Sequence, residues 1–275
     1  ELQVLMGLCG LRCSDSSKVI QEYFAGKVVW ITGASSGLGE ALCLALCELA
    51  EPRAVVLSAR REAELQRVRA RCLELRPGLQ AVVLPMDLAA GSERLEEAAQ
   101  KALGLFGCID VLVNNAGVGF RGLGCETSLP TDRLVMEIDY FSGVTLVKAL
   151  LPGWLRAQSG HVVQISSVQG FFGLPGRTAY AAAKHAATGF YDSLRAEVSD
   201  SGITVTVVAP GYIRTGHSQN AVKDAACKYP EGHTSKGVPP EVLAPQILAA
   251  VARQYPEFVA GAGLDARLAI MLRVL

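Results

Sequence analysis

An α/β fold, a doubly wound parallel sheet within a single domain, follows from three observations on this 275-residue chain. Apolar runs of strand length alternate with longer helical patterns from Lys27 onward. The runs carry Val and Ile continuously, as strands buried on both faces do, and such strands sit in a parallel sheet covered by helices. The first run leads directly into a glycine-rich turn and a helix, "TGASSGLGE" at 32–40.

The strands are expected at 27–32, 53–59, 80–86, 109–113, 161–166 and 203–209, and the helices at 37–50, 61–76, 91–106, about 130–158, about 178–200 and 240–254. Pro77-Gly78 closes one helix and Ser201-Gly202 another. The least regular segment, 211–239, holds several glycines and ends at Pro239-Pro240. A loop of that length in a compact domain is usually functional or mobile. Residues 1–25 form an amino-terminal segment whose apolar stretch, Leu2 to Leu11, falls short of the ~20 residues that span a bilayer. The absent initiator Met makes it read as the stump of a longer apolar anchor or as a packing segment. Residues 261–275 read as an apolar helix cut before its cap, leaving 26–260 as the main domain.

Composition narrows the function. With 26 basic residues against 26 acidic ones and no long run of like charge, nucleic acid is not expected as a partner. The eight cysteines include no CxxC pair, and the gaps Cys9/Cys13 and Cys43/Cys47 have no companion histidines, so no metal site is expected. They read as reduced core thiols.

The turn after the first strand is an anion site in the making. Gly33, Gly37 and Gly39 let a pyrophosphate touch the backbone, while Ser35, Ser36 and Leu38 place N–H groups at a helix N-terminus whose dipole is positive. The second strand ends Ser58-Ala59-Arg60-Arg61. A carboxylate there would accept from the 2′-hydroxyl of NAD, whereas arginine pairs with the 2′-phosphate of NADP. NADP(H) is therefore expected, with Arg60 as its ligand and Arg61 at a solvated helix start. Asp87 and Leu88 after the third strand could meet the adenine, although Asp87 could equally cap a turn. The fourth strand ends "NNAGVG", bringing Asn114, Ala116 and Gly117 to the carboxyl edge of the sheet, where ligands bind. Tyr180 and Lys184 lie one helical turn apart among alanines, so both leave one face of the helix.

Taken together, "TGASSGLG", "NNAG", Ser166-Ser167, "YAAAK" and Pro210-Gly211 resemble the short-chain dehydrogenase/reductase family, in order and at the family's spacing, over about residues 26–260. "YFSGVTLVKALLP" and "VAPGYIRT" look most like its branch of members seven and seven B. The resemblance implies a Rossmann fold with Tyr180 as acid/base, Lys184 on the nicotinamide ribose and Ser167 on the substrate carbonyl, Ser166 being structural. It further implies Thr215 near the carboxamide, Ile213 on the ring, and Pro210 and Gly211 at the cofactor. An ammonium ~5 Å from a phenol at an effective dielectric of ~20 favours the phenolate by about 3 kcal/mol, or about two pKa units.

The branch is membrane-associated, largely in the endoplasmic reticulum, and pairing of the helices near 130–158 and 178–200 would make a homodimer. Val168, Phe172, Leu174 and Tyr212 are expected to line an apolar pocket, with His217 and His233 in the variable loop. Two departures stand out: Asp139 occupies the position where the family usually has Asn, and Ala183 one where it often has Ser. An anionic Asp139 would oppose Lys184. The reading is an NADP(H)-dependent hydride transfer to or from the carbonyl or alcohol carbon of a lipid-, retinoid- or steroid-like substrate. The alternative is a catalytically weak NADP(H)-binding scaffold at a membrane.

Overall fold

The computed structural model describes residues 13–217, 220–223, 237–264, 266–267 and 270. An amino-terminal helix, α1 (Cys13–Phe24), precedes a regular alternation of strand and helix: β1 (Val28–Thr32), α2 (Gly37–Leu49), β2 (Ala54–Ser58), α3 (Glu62–Leu75), β3 (Gln80–Val83), α4 (Ser92–Phe106) and β4 (Val111–Asn114). The second half continues with α5 (Leu129–Met136), a π-helical turn (Glu137–Phe141), α6 (Ser142–Ala157), β5 (Gly160–Ile165), α7 (Thr178–Glu197), β6 (Ile203–Pro210), α8 (Pro240–Ala252) and β7 (Glu257–Ala260).

The strands make one parallel sheet in the order β3-β2-β1-β4-β5-β6-β7. Strand order reverses direction between β1 and β4, and the crevice beyond their carboxyl ends is where ligands bind in such sheets. Alternate residues of each strand feed opposite layers. Val29, Ile31, Val55 and Leu57 pack with α1, α2 and α8, while Val28, Trp30, Val56 and Leu112 pack with α4, α6 and α7.

The seventh strand escapes the sequence pattern because "EFVA" is short and follows Pro256, which reads as a breaker. The expected third strand is regular only to Val83, although the Leu84 and Met86 N–H groups still donate to the Leu57 and Ala59 carbonyls at 2.9 and 3.0 Å, the missing N–H of Pro85 falling on the open edge of the sheet. The expected helix over 130–158 is interrupted by the π turn. Of the cysteines read as core thiols, Cys43, Cys47 and Cys72 are buried, but Cys108 and Cys125 are exposed, because both fall in connections rather than on the inner face of an element. Cys9 and Cys227 lie outside the described residues.

Helix α1 buries Ile20 and Phe24 in the core. Its Tyr23 hydroxyl reaches His161 Nδ1 at 2.6 Å, His161 Nε2 meets Thr206 Oγ1 at 2.9 Å, and Thr206 donates to the Tyr255 carbonyl at 2.7 Å. Because Thr206 spends its proton on that carbonyl, His161 carries its own on Nε2 and accepts from Tyr23 at Nδ1. Among the described residues, no helix is long and apolar enough to cross a membrane.

Candidate active site

The β1–α2 turn is built by close packing. A Cβ on Gly39 would overlap the Gly33 carbonyl and lie 2.6 Å from the Asn115 amide, so glycine is needed for the helix to approach the strand end. Asn115 ties the same region together by donating to the Thr32 carbonyl at 2.8 Å, and Thr32 Oγ1 accepts from the N–H groups of Asn115 and Ala116 at 3.0 Å. Ser36, the N-cap of α2, makes no side-chain cap, so it leaves the first-turn N–H groups to another acceptor. Arg61 Nη2 stands 3.4 Å from the hydroxyls of both Ser35 and Ser36. Arg67 Nη2 also donates to the Ser35 carbonyl at 3.4 Å; of the two adjacent exposed arginines, the one that reaches this turn is Arg61, expected only at a solvated helix start, and not Arg60. On the far side, a Cβ on Gly37 would lie 3.1 Å from Thr215 Cγ2, so Thr215 closes over the turn.

These features fit a dinucleotide: uncapped helix N–H groups, glycine-lined backbone and an arginine in place of a carboxylate. When bound, a nicotinamide cofactor supplies or accepts a hydride. Other expected contacts are placed as follows. Asp87 Oδ1 accepts from Ala89 N–H at 3.1 Å, capping its own turn, and Leu88 is buried against the core. The Asn114 amide points into the molecule, donating to the Gly143 carbonyl at 3.2 Å and to Tyr191 Oη at 2.9 Å, so it anchors the central helix to β4. Pro210 ends β6, and Gly211 donates to the Ala260 carbonyl at 2.8 Å. Ile213 pairs with Val238 at the rim, half-buried.

The residues expected to be catalytic lie on α7 and at the strand end before it. Tyr180 and Lys184 are both buried on one face of α7, with Lys184 Nζ 5.4 Å from the centre of the Tyr180 ring. Ser167 follows β5, accepts from Gln169 N–H at 3.1 Å and lies near enough to the Tyr180 hydroxyl to pull its proton affinity down. Ser166 faces inward to Thr188 at 3.5 Å, the structural role its position suggested.

Asp139 sits on the π turn, a device that recurs at functional sites because the extra residue redirects side chains. Its Oδ1 accepts the Val118 N–H at 2.7 Å and its Oδ2 lies 3.5 Å from Lys184 Nζ, in a fully buried ion pair. Gly117 permits this approach, since a Cβ there would lie 2.7 Å from Asp139 Oδ1.

The electrostatics correct the simple pairwise expectation. Burial holds the Tyr180 phenol above its ordinary value and Asp139 adds to the effect, while Lys184, the Ser167 hydroxyl and Arg177 pull the other way and lose. Burial likewise raises the Asp139 carboxyl against the pull of Lys184 and the Val118 N–H. Burial opposes the charge on Lys184, but Asp139 and Tyr180 together hold its ammonium above the usual range. Counting the ammonium alone therefore overstated how acidic Tyr180 is.

Two contributors were not anticipated. Arg177, buried just before α7, donates to the Phe120 carbonyl at 2.5 Å and adds positive potential at Tyr180; an Arg three residues before the Tyr was the available signal. Tyr191 offered none, as its bond to Asn114 joins residues 77 apart. Of the expected pocket residues, Val168 and Phe172 pack with Ala209, Val259 and Ile270, while Leu174 and Tyr212 are exposed at the rim. The His217 ring meets Tyr180 edge-on at 6.1 Å between ring centres, and His233 lies outside the described residues.

A family model described as short chain dehydrogenase matches residues 27–226. The chain belongs to the short-chain dehydrogenase family. A relative of this dehydrogenase in Bos taurus, dehydrogenase/reductase SDR family member 7B, is 40% identical over 284 aligned positions that span 100% of the chain and 86% of the relative. Two solved structures share the fold. One is an alcohol dehydrogenase from the archaeon Thermococcus sibiricus complexed with 5-hydroxy-NADP, with TM-score 0.72 and 24% identity over 86% of this chain and 97% of that one. The other is a short-chain dehydrogenase/reductase from Burkholderia phymatum in complex with NAD, with TM-score 0.79 and 24% identity over 92% of each chain. The dehydrogenase described here is thus an oxidoreductase by family, on a Rossmann scaffold that in these neighbours carries either nicotinamide cofactor.

Proposed function

We propose that the protein is an NADP(H)-dependent reductase of apolar carbonyl compounds, with Tyr180 as proton donor. The observation that carries this reading is the convergence of Ser167, Tyr180 and Lys184 at the carboxyl edge of the sheet, across from a phosphate turn that Arg61 reaches from the end of β2, where no carboxylate stands. Tyr180 gives its proton to the carbonyl oxygen, Ser167 holds that oxygen by a hydrogen bond, and Lys184 steadies the phenolate left behind. Burial, helped by the charge of Asp139, keeps Tyr180 protonated against the pull of Lys184, which suits reduction more than oxidation. Val168 and Phe172, with Leu174 and Tyr212 at the rim, favour a lipid-, retinoid- or steroid-like substrate.

The apolar residues before α1 would contribute to attachment at the endoplasmic reticulum membrane, and exposed Phe141 on the π turn and Leu155 on α6 would serve a homodimer. The test is single-turnover oxidation of bound NADPH by a panel of apolar ketones and aldehydes. Tight NADPH binding with no oxidation by any of them would overturn the catalytic reading. It would favour the nucleotide-binding scaffold, for which the buried charge of Asp139 beside Lys184 is the supporting observation.

A further inference from the structure

Between the sheet and the central helix, behind the acid/base pair, lies a void of about 10 Å³ bordered by Thr32, Asn114, Asp139, Ser142 and Gln164. Roughly that volume, with two to four polar partners, is what a single water requires. Two of the bordering residues carry buried acceptors with no hydrogen-bond donor: Asp139 Oδ2 and Gln164 Oε1, each on a residue only 4% exposed. Lys184 Nζ is 3.5 Å from Asp139 Oδ2, an ion pair at the far limit of hydrogen-bond distance that leaves this oxygen open to a closer donor. Buried acceptors left without a donor are rare in folded proteins, and two of them on one water-sized void call for the same ligand. Lys184 already supplies the positive charge, so a neutral donor of two protons suits the site better than a second cation.

We propose that this void binds one water, which donates to Asp139 Oδ2 and Gln164 Oε1, and that Gln164 is thereby a positioning residue for proton transfer at Tyr180. A hydrogen bond to a carboxylate favours its ionised form. With the bridge in place Asp139 stays charged, draws on Lys184, and keeps Tyr180 in its protonated, donating state. Without it Asp139 takes up a proton more readily, and Lys184 pulls on Tyr180 against burial alone. The groups facing Asp139 are Lys184 and Tyr180 from α7, the Val118 N–H from the loop after β4 and Gln164 from β5. Glu137 and Tyr140 share its turn, Tyr191 of α7 closes the far wall through Asn114, and Arg177 and His217 act on Tyr180 from outside. None of these others supplies a donor to the two acceptors.

The inference rests on Tyr180 being the proton donor, and its test needs no turnover. Gln164→Leu keeps the bulk and removes the acceptor; Gln164→Met is read the same way should the first variant fail to fold. Ultraviolet titration, taken as a difference from Tyr180→Phe, reads the Tyr180 phenolate. The infrared band lost in Asp139→Asn reads the protonated carboxyl. Loss of one hydrogen bond to a charged group should move Asp139 up by about one pH unit and the Tyr180 titration down in step. A crystal structure of the unmutated protein at atomic resolution should hold one oxygen in the void within hydrogen-bond distance of both acceptors. Unmoved titrations in a folded Gln164 variant, or no oxygen in the void, overturn the proposal. An inactive protein whose titrations shift as expected would refute the reductase reading and leave the water in place.

Discussion

The sheet carries a buried polar cluster at each end, and the two are built on opposite principles. At the amino-terminal edge, Tyr23, His161 and Thr206 form a chain in which every member is neutral and each proton has an acceptor. At the carboxyl edge, Asp139, Lys184 and Tyr180 bury a charge pair on a π turn and leave one carboxylate oxygen without a donor. A satisfied neutral network fixes one arrangement and joins α1 to the core. A buried charged one that the protein's own groups do not fully satisfy costs stability but sets proton affinities, which is what proton transfer requires. On the proposed function, the difference is that between a structural cluster and a chemical one.

The sharpest way to break this contrast is Tyr180→Phe. Turnover on a substrate found by the NADPH panel should fall by about 100-fold or more, the usual loss for a general acid, with the melting temperature little changed. Near-normal turnover would move the chemistry elsewhere.

The amino-terminal cluster should respond to acid rather than to substrate. Burial, with a smaller push from Lys27, lowers the His161 imidazole to about 3, whereas the unfolded chain titrates near 6.5. Between those values the unfolded state holds one more proton than the folded one, so the contribution of His161 to stability is complete above about pH 6.5. It drains away as pH falls toward 3, at about 1.4 kcal/mol per pH unit. Denaturant titrations of the unmutated protein and of His161→Asn from pH 7 to 4 should show a shallower pH slope in the variant. Parallel slopes would deny the neutral imidazole its role.

A smaller effect, on the position of a profile rather than its height, is expected from Asp139→Asn. Removing the carboxylate charge lowers the Tyr180 phenol, so the oxidative limb of the pH–rate profile should move to lower pH by about one unit, and oxidation should gain on reduction. Superimposable profiles in both directions would show that Asp139 exerts no field on Tyr180.

The smallest effect concerns the exposed margin of the carboxyl edge, where charge meets solvent and is screened. Arg61→Ala should reduce the preference for NADPH over NADH by about tenfold, the low end for a charge-assisted hydrogen bond, and Arg60→Ala should do less. Dissociation constants for both cofactors in the two variants rank the arginines. A larger loss in Arg60→Ala would restore the assignment drawn from strand position alone.

How much of this was legible beforehand divides along one line. The amino-acid sequence determined the alternation of buried strands and helices, the glycine turn at a helix start, and the pair Tyr180 and Lys184 one turn apart, because each depends on neighbours in the chain. It also exposed Asp139 as a departure from the family pattern. Tertiary structure alone decided which arginine reaches Ser35 and Ser36, since two adjacent side chains differ only in where the α3 start points them. The seventh strand required β6 as a template, and the π turn arises where the central helix meets the loop after β4 and the face of α7. The field at Tyr180 was also beyond sequence reading. Spacing along α7 gives the ammonium, but the burial and the carboxylate that outweigh it come from segments 41 and more residues away, brought together only when the sheet closes its core.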